Sequence, residues 1–385
     1  MTAPASRNHK VRFPELSVAG TSVEMGRAIG EARREHIREL CDLVVERFNR
    51  GNGYARLTSE QAEVRALAAL SFAEAYAPHL VEELRGTAQG AGVSVGKLMV
   101  LNARNMLGQA DDVSGRSIAD QQTVRTVSTS ASEGCTSLMV SGQASVTRGA
   151  IAGQNWDNDP AMDRFSTVLT RHPKGRPAVM TWTQPGLIAY IGMNSAGIGV
   201  LMNALNGPSR ARGVPWYFIV RSIYEQTSLS QAVETVSAAP RTISANAAMV
   251  TSEGAADIEV TPDEVRVLRA AEVGLLSHTN HCLHDDLIGN NQQYAARIFG
   301  QSFDRKARAD ALLQRQGTGV TTDNLKLILA DHDGYPTAIC RHTNADTVTG
   351  WQRTVVSIIL EPSAGTMHVS RGNPCEMPYE TYRMN

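Results

Sequence analysis

Ser132-Glu133-Gly134-Cys135-Thr136-Ser137, with Asn155-Trp156-Asp157 one hairpin downstream, divides this chain into two kinds of sequence. Before Cys135 the apolar residues recur at helical spacing and then give way to polar low complexity. After it they alternate with period two, as in strands. A lone cysteine at that seam, preceded by glycine, marks a place where the chain is cut to leave Cys135 as a new N-terminus. Gly134 suits the bond because it tolerates a strained or positive-φ backbone and leaves its carbonyl uncovered.

Such a cut makes one residue both nucleophile and base. A free α-amine has a pKa of about 7.7–8.0, so at working pH it can take the proton of its own thiol. The same thiol, attacking the Gly134 carbonyl, gives a thioester that water hydrolyses. Asp157 ends the strand expected to pair back on Cys135, where a carboxylate can hold the new ammonium. Asn155, two residues earlier, shares its face. On spacing alone, an Asx pair in the turn before Pro160 carries equal weight.

The 385 residues suffice for a large buried core, and 42% hydrophobic against 19% charged is a globular rather than a disordered balance. A net charge of −1 gives no footprint for nucleic acid or for an anionic membrane. There is neither an apolar run long enough to span a bilayer nor a hydrophobic signal core, so a soluble cytoplasmic protein is expected. Five scattered cysteines (Cys41, Cys135, Cys282, Cys340, Cys375) argue against a disulfide scaffold and for reduced thiols. A buried inert thiol is the expectation for each of them except Cys135.

Along the chain, 11–19 reads as a strand, followed by helices over 21–50, 59–77, 78–91 and 94–107. Residues 109–133 have linker composition and end in Glu133-Gly134, suited to an exposed cleavage site. Hairpin strands are predicted to flank Ser141-Gly142-Gln143, with more strands at 167–171, 178–183, 187–193 and 197–203. Helices at 215–225 and 228–239 precede strands at 247–251, 256–261, 264–269 and 273–278. Helices at 291–316 and 322–330 lead to a closing β pair at 354–361 and 366–370. Blocks of strands alternating with blocks of helices predict an α+β sandwich of mostly antiparallel sheets.

Glu133-Gly134-Cys135-Thr136-Ser137 followed by Gly153-Gln154-Asn155-Trp156-Asp157 resembles the acyl-coenzyme A:6-aminopenicillanic acid acyltransferase family. These are autoproteolytic N-terminal-nucleophile hydrolases, also called isopenicillin N acyltransferase-like peptidases. Gly20-Thr21-Ser22-Val23-Glu24-Met25-Gly26 with Gly30 is similar to the family's opening motif. Leu101-Asn102-Ala103-Arg104-Asn105, His278-Thr279-Asn280-His281 and Gly372-Asn373-Pro374-Cys375 are similar to later ones, although Met106 stands where an acidic residue is expected. The resemblance implies an αββα four-layer sandwich, two antiparallel sheets between helical layers. It also implies self-cleavage into an α chain (1–134) and a β chain (135–385), together forming one integrated domain. Cys135 would be the nucleophile, Asp157 the amine-positioning acid and Asn280 an oxyanion-hole donor. Arg353 would match an arginine near the nucleophile, and Asn203, by analogy with the wider superfamily, would be a second donor.

Other constellations compete poorly. His278, His281 and His284 with Cys282 and Asp285-Asp286 share a helix face only in part, so a polar loop is expected there rather than a metal. Asp331-His332-Asp333-Gly334 lacks the spaced acids and closing Glu of a calcium loop and reads as a turn. Neither a Gly-x-Ser-x-Gly elbow nor a phosphate-binding Gly-x-x-x-x-Gly-Lys-Thr motif occurs. The expected function is hydrolysis of a small N-acyl amide through a Cys135 thioester, with no cofactor and no metal. Acyl-coenzyme A-dependent N-acylation is the alternative within the class, and an uncut ligand-binding homologue the alternative outside it. The expected partners are a small amide or acyl-thioester and the two chains of one precursor; a homo-oligomer stays open.

Overall fold

Helix starts are written locally in the N-terminal third. Thr21 and Glu24 form a reciprocal capping box, as do Thr58 and Gln61. The computed structural model describes residues 11–50, 56–108, 134–270, 272–293, 301–347 and 349–384. Strand β1 (Glu15–Gly20) leads into helices α1 (Ser22–Ala32), α2 (Arg34–Arg50), α3 (Ser59–Leu67), α4 (Leu70–Tyr76), α5 (Pro78–Ala91) and α6 (Val95–Asn102). Two expected helices are each split, at Arg33 and near Ala68, because apolar spacing runs through both breaks. The linker expected at 109–133 lies outside the described residues.

Helices α1 and α5 pack backbone to backbone. A Cβ on Gly26 would stand 2.0 Å from the Glu83 carbonyl oxygen, and one on Gly90 2.2 Å from that of Arg27. Only glycine admits this approach.

The second part opens with strands β2 (Gly134–Val140), β3 (Ile151–Asn158), β4 (Thr167–Pro173), β5 (Val179–Thr183), β6 (Ile191–Asn194), β7 (Gly199–Leu201) and β8 (Ala204–Ser209). Helices α7 (Trp216–Ile223) and α8 (Leu229–Ala238) precede β9 (Ile243–Thr251), β10 (Gly254–Val260), β11 (Val265–Arg269) and β12 (Leu275–His278). Helices α9 (Gly289–Gln293), α10 (Gln301–Gln316) and α11 (Thr322–Leu329) lead to β13 (Arg353–Glu361), β14 (Thr366–Arg371) and β15 (Tyr379–Arg383). Strands β8 and β15 were not expected from the sequence; the half-exposed, turn-like Ala204–Ser209 carries no clean alternation.

Among the described residues the strands form two sheets. One runs β1-β4-β5-β6-β7-β9-β10-β11 with β8 on β9, the other β12-β2-β3-β13-β14-β15. The pairing between these strands is antiparallel except for β1 on β4, which is parallel, in keeping with the mostly antiparallel sheets expected. The helical segment between β1 and β4 is long enough to bring the chain back for a parallel edge. Period two on β2 and β3 separates two faces. Met139, Ala152 and Trp156 point into the main core between the sheets, with Trp182 and Val200. Leu138, Val140 and Ile151 point outward under Ala309 and Leu313 of α10 and Leu325 and Ile328 of α11. Helices α7 and α8 pack on the other sheet, against β9 and β11, so the layers are αββα as expected.

One buried charge set ties the two parts of the chain together. Glu83 on α5 accepts from Arg171 Nε on β4 at 2.7 Å and lies 3.8 Å from Arg221 on α7. All three side chains are 1% exposed, so each charge has to be answered inside the protein.

Candidate active site

The β2–β3 register places Gly134 opposite Asp157 and Cys135 opposite Trp156. By alternation Cys135 shares the inner face with Ser137 and Met139, whereas Gly134, Thr136 and Asp157 face α10. Cys135 is buried and belongs to the main core. Its backbone N–H donates to Asn280 Oδ1 at 3.0 Å, and its carbonyl accepts from Arg305 Nη1 at 2.5 Å. Arg305 also donates to Thr136 Oγ1 and, at 2.8 Å, to Asn280 Oδ1.

On the outer face Asp157 is wholly buried. Its Oδ1 accepts from Thr354 Oγ1 at 2.8 Å, and its Oδ2 lies 3.7 Å from Arg341 Nε with no hydrogen bond. A Cβ on Gly134 would stand 3.0 Å from that same Oδ2. Burial pushes the Asp157 carboxyl up, against the opposing pull of Arg341, Arg305 and Thr354. Burial likewise lowers Arg305, to about 10, with Arg341 adding repulsion and Asp157 and Cys135 opposing. Arg341 is fixed by bonds to the side-chain oxygens of Gln301 and Gln352. Among the described residues two guanidinium groups thus act on the buried Asp157 carboxylate, and Asp346 also acts on Arg341.

The expected residues fall into three groups. Cys135, Asp157 and Asn280 gather around the Gly134–Cys135 peptide. Asn280, however, turns its oxygen toward the Cys135 nitrogen while its Nδ2 donates to the Ala204 carbonyl at 3.1 Å. With Arg305 also donating to that oxygen, Asn280 presents an acceptor to the Cys135 nitrogen and commits its own donor to Ala204. Asn203 accepts from Ser137 Oγ at 2.7 Å on the inner face, and its Nδ2 is a buried donor without a partner.

Asn155 does share the face of Asp157, but its Nδ2 is committed to the carbonyls of Leu329 and Ile339, at 2.8 and 3.0 Å. Arg353 lies opposite Asn158 and reaches toward Gly372 instead of the nucleophile. The nearby arginines are Arg305 and Arg341, neither singled out from the sequence. Arg341 ends the apolar run Ala338-Ile339-Cys340, a signal for a buried charge; Arg305 looks like any basic residue of a solvated helix.

The histidines expected in a polar loop go separate ways. His278 Nε2 bonds Glu259 at 2.9 Å, His281 Nδ1 bonds Ser302 Oγ at 2.9 Å, and His284 lies 3.8 Å from Asp286. A surface cavity lined by Gly142, Arg148, Ser195 and Ser363 opens at the far end of β2 and β3, with neither acid nor thiol in its wall.

Residues 146–376 match the sequence profile of the acyl-coenzyme A:6-aminopenicillanic acid acyl-transferase family. The chain belongs to this family. A relative from Emericella nidulans, the 40 kDa form of acyl-coenzyme A:6-aminopenicillanic-acid-acyltransferase, is 28% identical over 375 residues, 96% of this chain and 95% of its own. Among solved structures, penicillin V acylase from Agrobacterium tumefaciens aligns with TM-score 0.43 at 11% identity, over 65% of this chain and 86% of its own. A mutant conjugated bile acid hydrolase from Clostridium perfringens aligns at 0.40 and 11%, over 65% and 97%. The acyltransferase profile begins after Cys135, whereas the alignment with the Emericella relative spans nearly the whole chain. Among the described residues no helix is long and apolar enough to cross a membrane.

Proposed function

We propose that this acyltransferase-family chain cuts itself before Cys135 and then hydrolyses a small N-acyl amide through a thioester on that residue. The observation that carries the reading is the polar ring around the Gly134–Cys135 peptide. The nitrogen to be freed already donates to Asn280, the preceding residue lies against Asp157, and Arg305 and Arg341 bear on that same carboxylate.

In self-processing, the Cys135 sulfur bonds the Gly134 carbonyl carbon, the C–N bond breaks, and the nitrogen ends with the thiol's proton. Water cleaves the thioester, leaving a carboxylate on Gly134 and restoring the thiol. The freed amine then has Asn280 Oδ1 and Asp157 to hold it. In turnover it takes the thiol's proton, the sulfur attacks the substrate's acyl carbon, and the departing amine carries the proton away. The unpartnered Asn203 Nδ2, on the face of the thiol, is the donor available to the developing oxyanion. Trp156, on the face of Cys135, packs against Trp182 and Tyr190 from the facing sheet side, with ring centroids 5.1–6.0 Å apart, and these apolar surroundings favour an apolar acyl group.

Acyl-coenzyme A-dependent N-acylation is the second reading, favoured by the name of the Emericella relative. The two differ only in whether water or an amine takes the acyl group from Cys135.

Intact-mass analysis and N-terminal sequencing of the purified protein test the proposal. Fragments 1–134 and 135–385 are expected, with Cys135→Ala staying whole and losing activity by at least about 10³-fold. A panel of N-acyl amides and acyl-coenzyme A donors, with and without amine acceptors, should leave a mass adduct on Cys135. An uncut protein that turns over amides overturns the base assignment; an uncut protein without turnover on the panel returns the chain to a ligand-binding role.

A further inference from the structure

Away from Cys135, four soft side chains converge on one point. His332, Cys340, His342 and Cys375 place a ring nitrogen or sulfur each within 4.8 Å of all the others. His332 Nε2 is 3.0 Å from His342 Nε2, and Cys340 Sγ is 3.6 Å from Cys375 Sγ. His342 Nε2 lies 3.3 Å from Cys375 Sγ and 3.8 Å from Cys340 Sγ. That nitrogen has three polar neighbours and at most one proton to share among them.

We propose that these four residues hold a tetrahedral zinc ion. Zinc with Zn–S of about 2.3 Å and Zn–N of about 2.0–2.1 Å spaces its ligand atoms about 3.3 Å apart for N···N, about 3.6 Å for N···S and about 3.8 Å for S···S. The observed 3.0, 3.3, 3.8 and 3.6 Å fall around those edges before any ion draws the groups in. Two thiolates and two neutral imidazoles offset the ion's charge, and a set of four leaves no open position, which makes the site structural.

The surroundings are those of a ligand set. Asn373 Nδ2 donates toward Cys340 Sγ at 3.4 Å, and Glu376 lies 3.6 Å from His342 Nδ1, the nitrogen facing away from the cluster. Hydrogen bonds to a thiolate and a carboxylate behind a histidine are the usual outer partners of bound zinc. His332 and Cys375 are exposed, which gives the ion a way in.

The ion would fasten two segments, 332–342 and the loop at 373–376. Cys340 and His342 flank Arg341, whose carbonyl also accepts from Asn373 Nδ2 at 2.6 Å. Zinc would therefore set the backbone that aims Arg341 at Asp157.

Metal analysis of the full-length protein, purified without an affinity tag and dialysed against metal-free buffer, tests this. About one zinc per chain is expected in the wild type and in Cys135→Ala, because no ligand belongs to the nucleophile's machinery. Cys375→Ser, altered at an exposed position, should retain less than about a tenth of that zinc. Should the variant fold poorly, cobalt exchanged into the wild type gives the same answer through a thiolate-to-cobalt charge-transfer band. A chelator that strips the metal should also lower the wild-type melting temperature. The proposal is overturned by wild-type protein that stays metal-free after incubation with zinc, by full retention in Cys375→Ser, or by peptide mapping that finds Cys340 joined to Cys375 as a disulfide.

Discussion

At the scale of single residues, Asp157 stands against Gly134 with one oxygen unpartnered and burial raising its carboxyl. Asp157→Asn keeps the bond from Thr354 and the volume but gives up the proton and the charge. Self-processing should slow by about 10²–10⁴, read as the uncut fraction on denaturing gels over time; wild-type cutting would mean that the carboxyl is a spectator. A second buried acid governs pH. Burial raises Asp257 from 3.8 to about 7, with His278 opposing and Glu259 adding to it. The folded chain keeps this proton where the unfolded chain has released it, so the stability it brings is full below about 4 and lost as pH rises through 7. His278, also raised, acts in the same direction, while the lowered Glu259 loses its share only as pH falls. Asp257→Asn should flatten the decline in melting temperature between about pH 4 and 7; an unchanged slope would place the proton elsewhere. Cys135 and Asp157 were legible in the sequence because a hairpin register follows from alternation and a turn. Arg305 and Arg341 were not, because their meeting at Asp157 is made by tertiary packing. Nor was the cluster of His332, Cys340, His342 and Cys375, because Cys375 comes 33 residues after His342 and only the fold brings the two segments together.

At the scale of elements, the motif read near the start as a family resemblance has a packing cause. Gly26 and Gly30 let α1 lie against the backbone of α5, where a Cβ on Gly26 would meet a carbonyl at 2.0 Å. Gly26→Ala should cost about 1–3 kcal/mol or more in denaturant unfolding. Gly289→Ala, where nothing stands within 4 Å, should change stability by less than about 0.5 kcal/mol. Equal effects would remove the close-packing account. Helix starts were readable from Thr21 and Ser94, and most strands from their alternation. The partner of β1 was not, since an edge strand carries no mark of whether its neighbour runs parallel to it.

At the scale of the whole molecule, the two sides of the proposed cut share one core and one charge set. Leu80, Val81 and Leu84 of α5 belong to the same apolar cluster as Trp182 and Phe218. Glu83→Gln removes the anion between Arg171 and Arg221 and leaves those cations buried without it, at a cost of about 3–5 kcal/mol. The check is an unfolding titration together with size-exclusion chromatography: wild-type fragments should co-elute, and the variant should separate at lower denaturant. Equal midpoints would mean that the apolar contacts alone hold the halves.

The parallel edge between β1 and β4 carries this one step further. Before the proposed cut, that strand would find its place while still joined to the rest of the chain, as one molecule. Afterwards its return from a denatured state is a meeting of two molecules, and recovery of a heat-inactivated sample becomes second order. A tenfold dilution should therefore slow renaturation of the processed enzyme and leave that of Cys135→Ala unchanged.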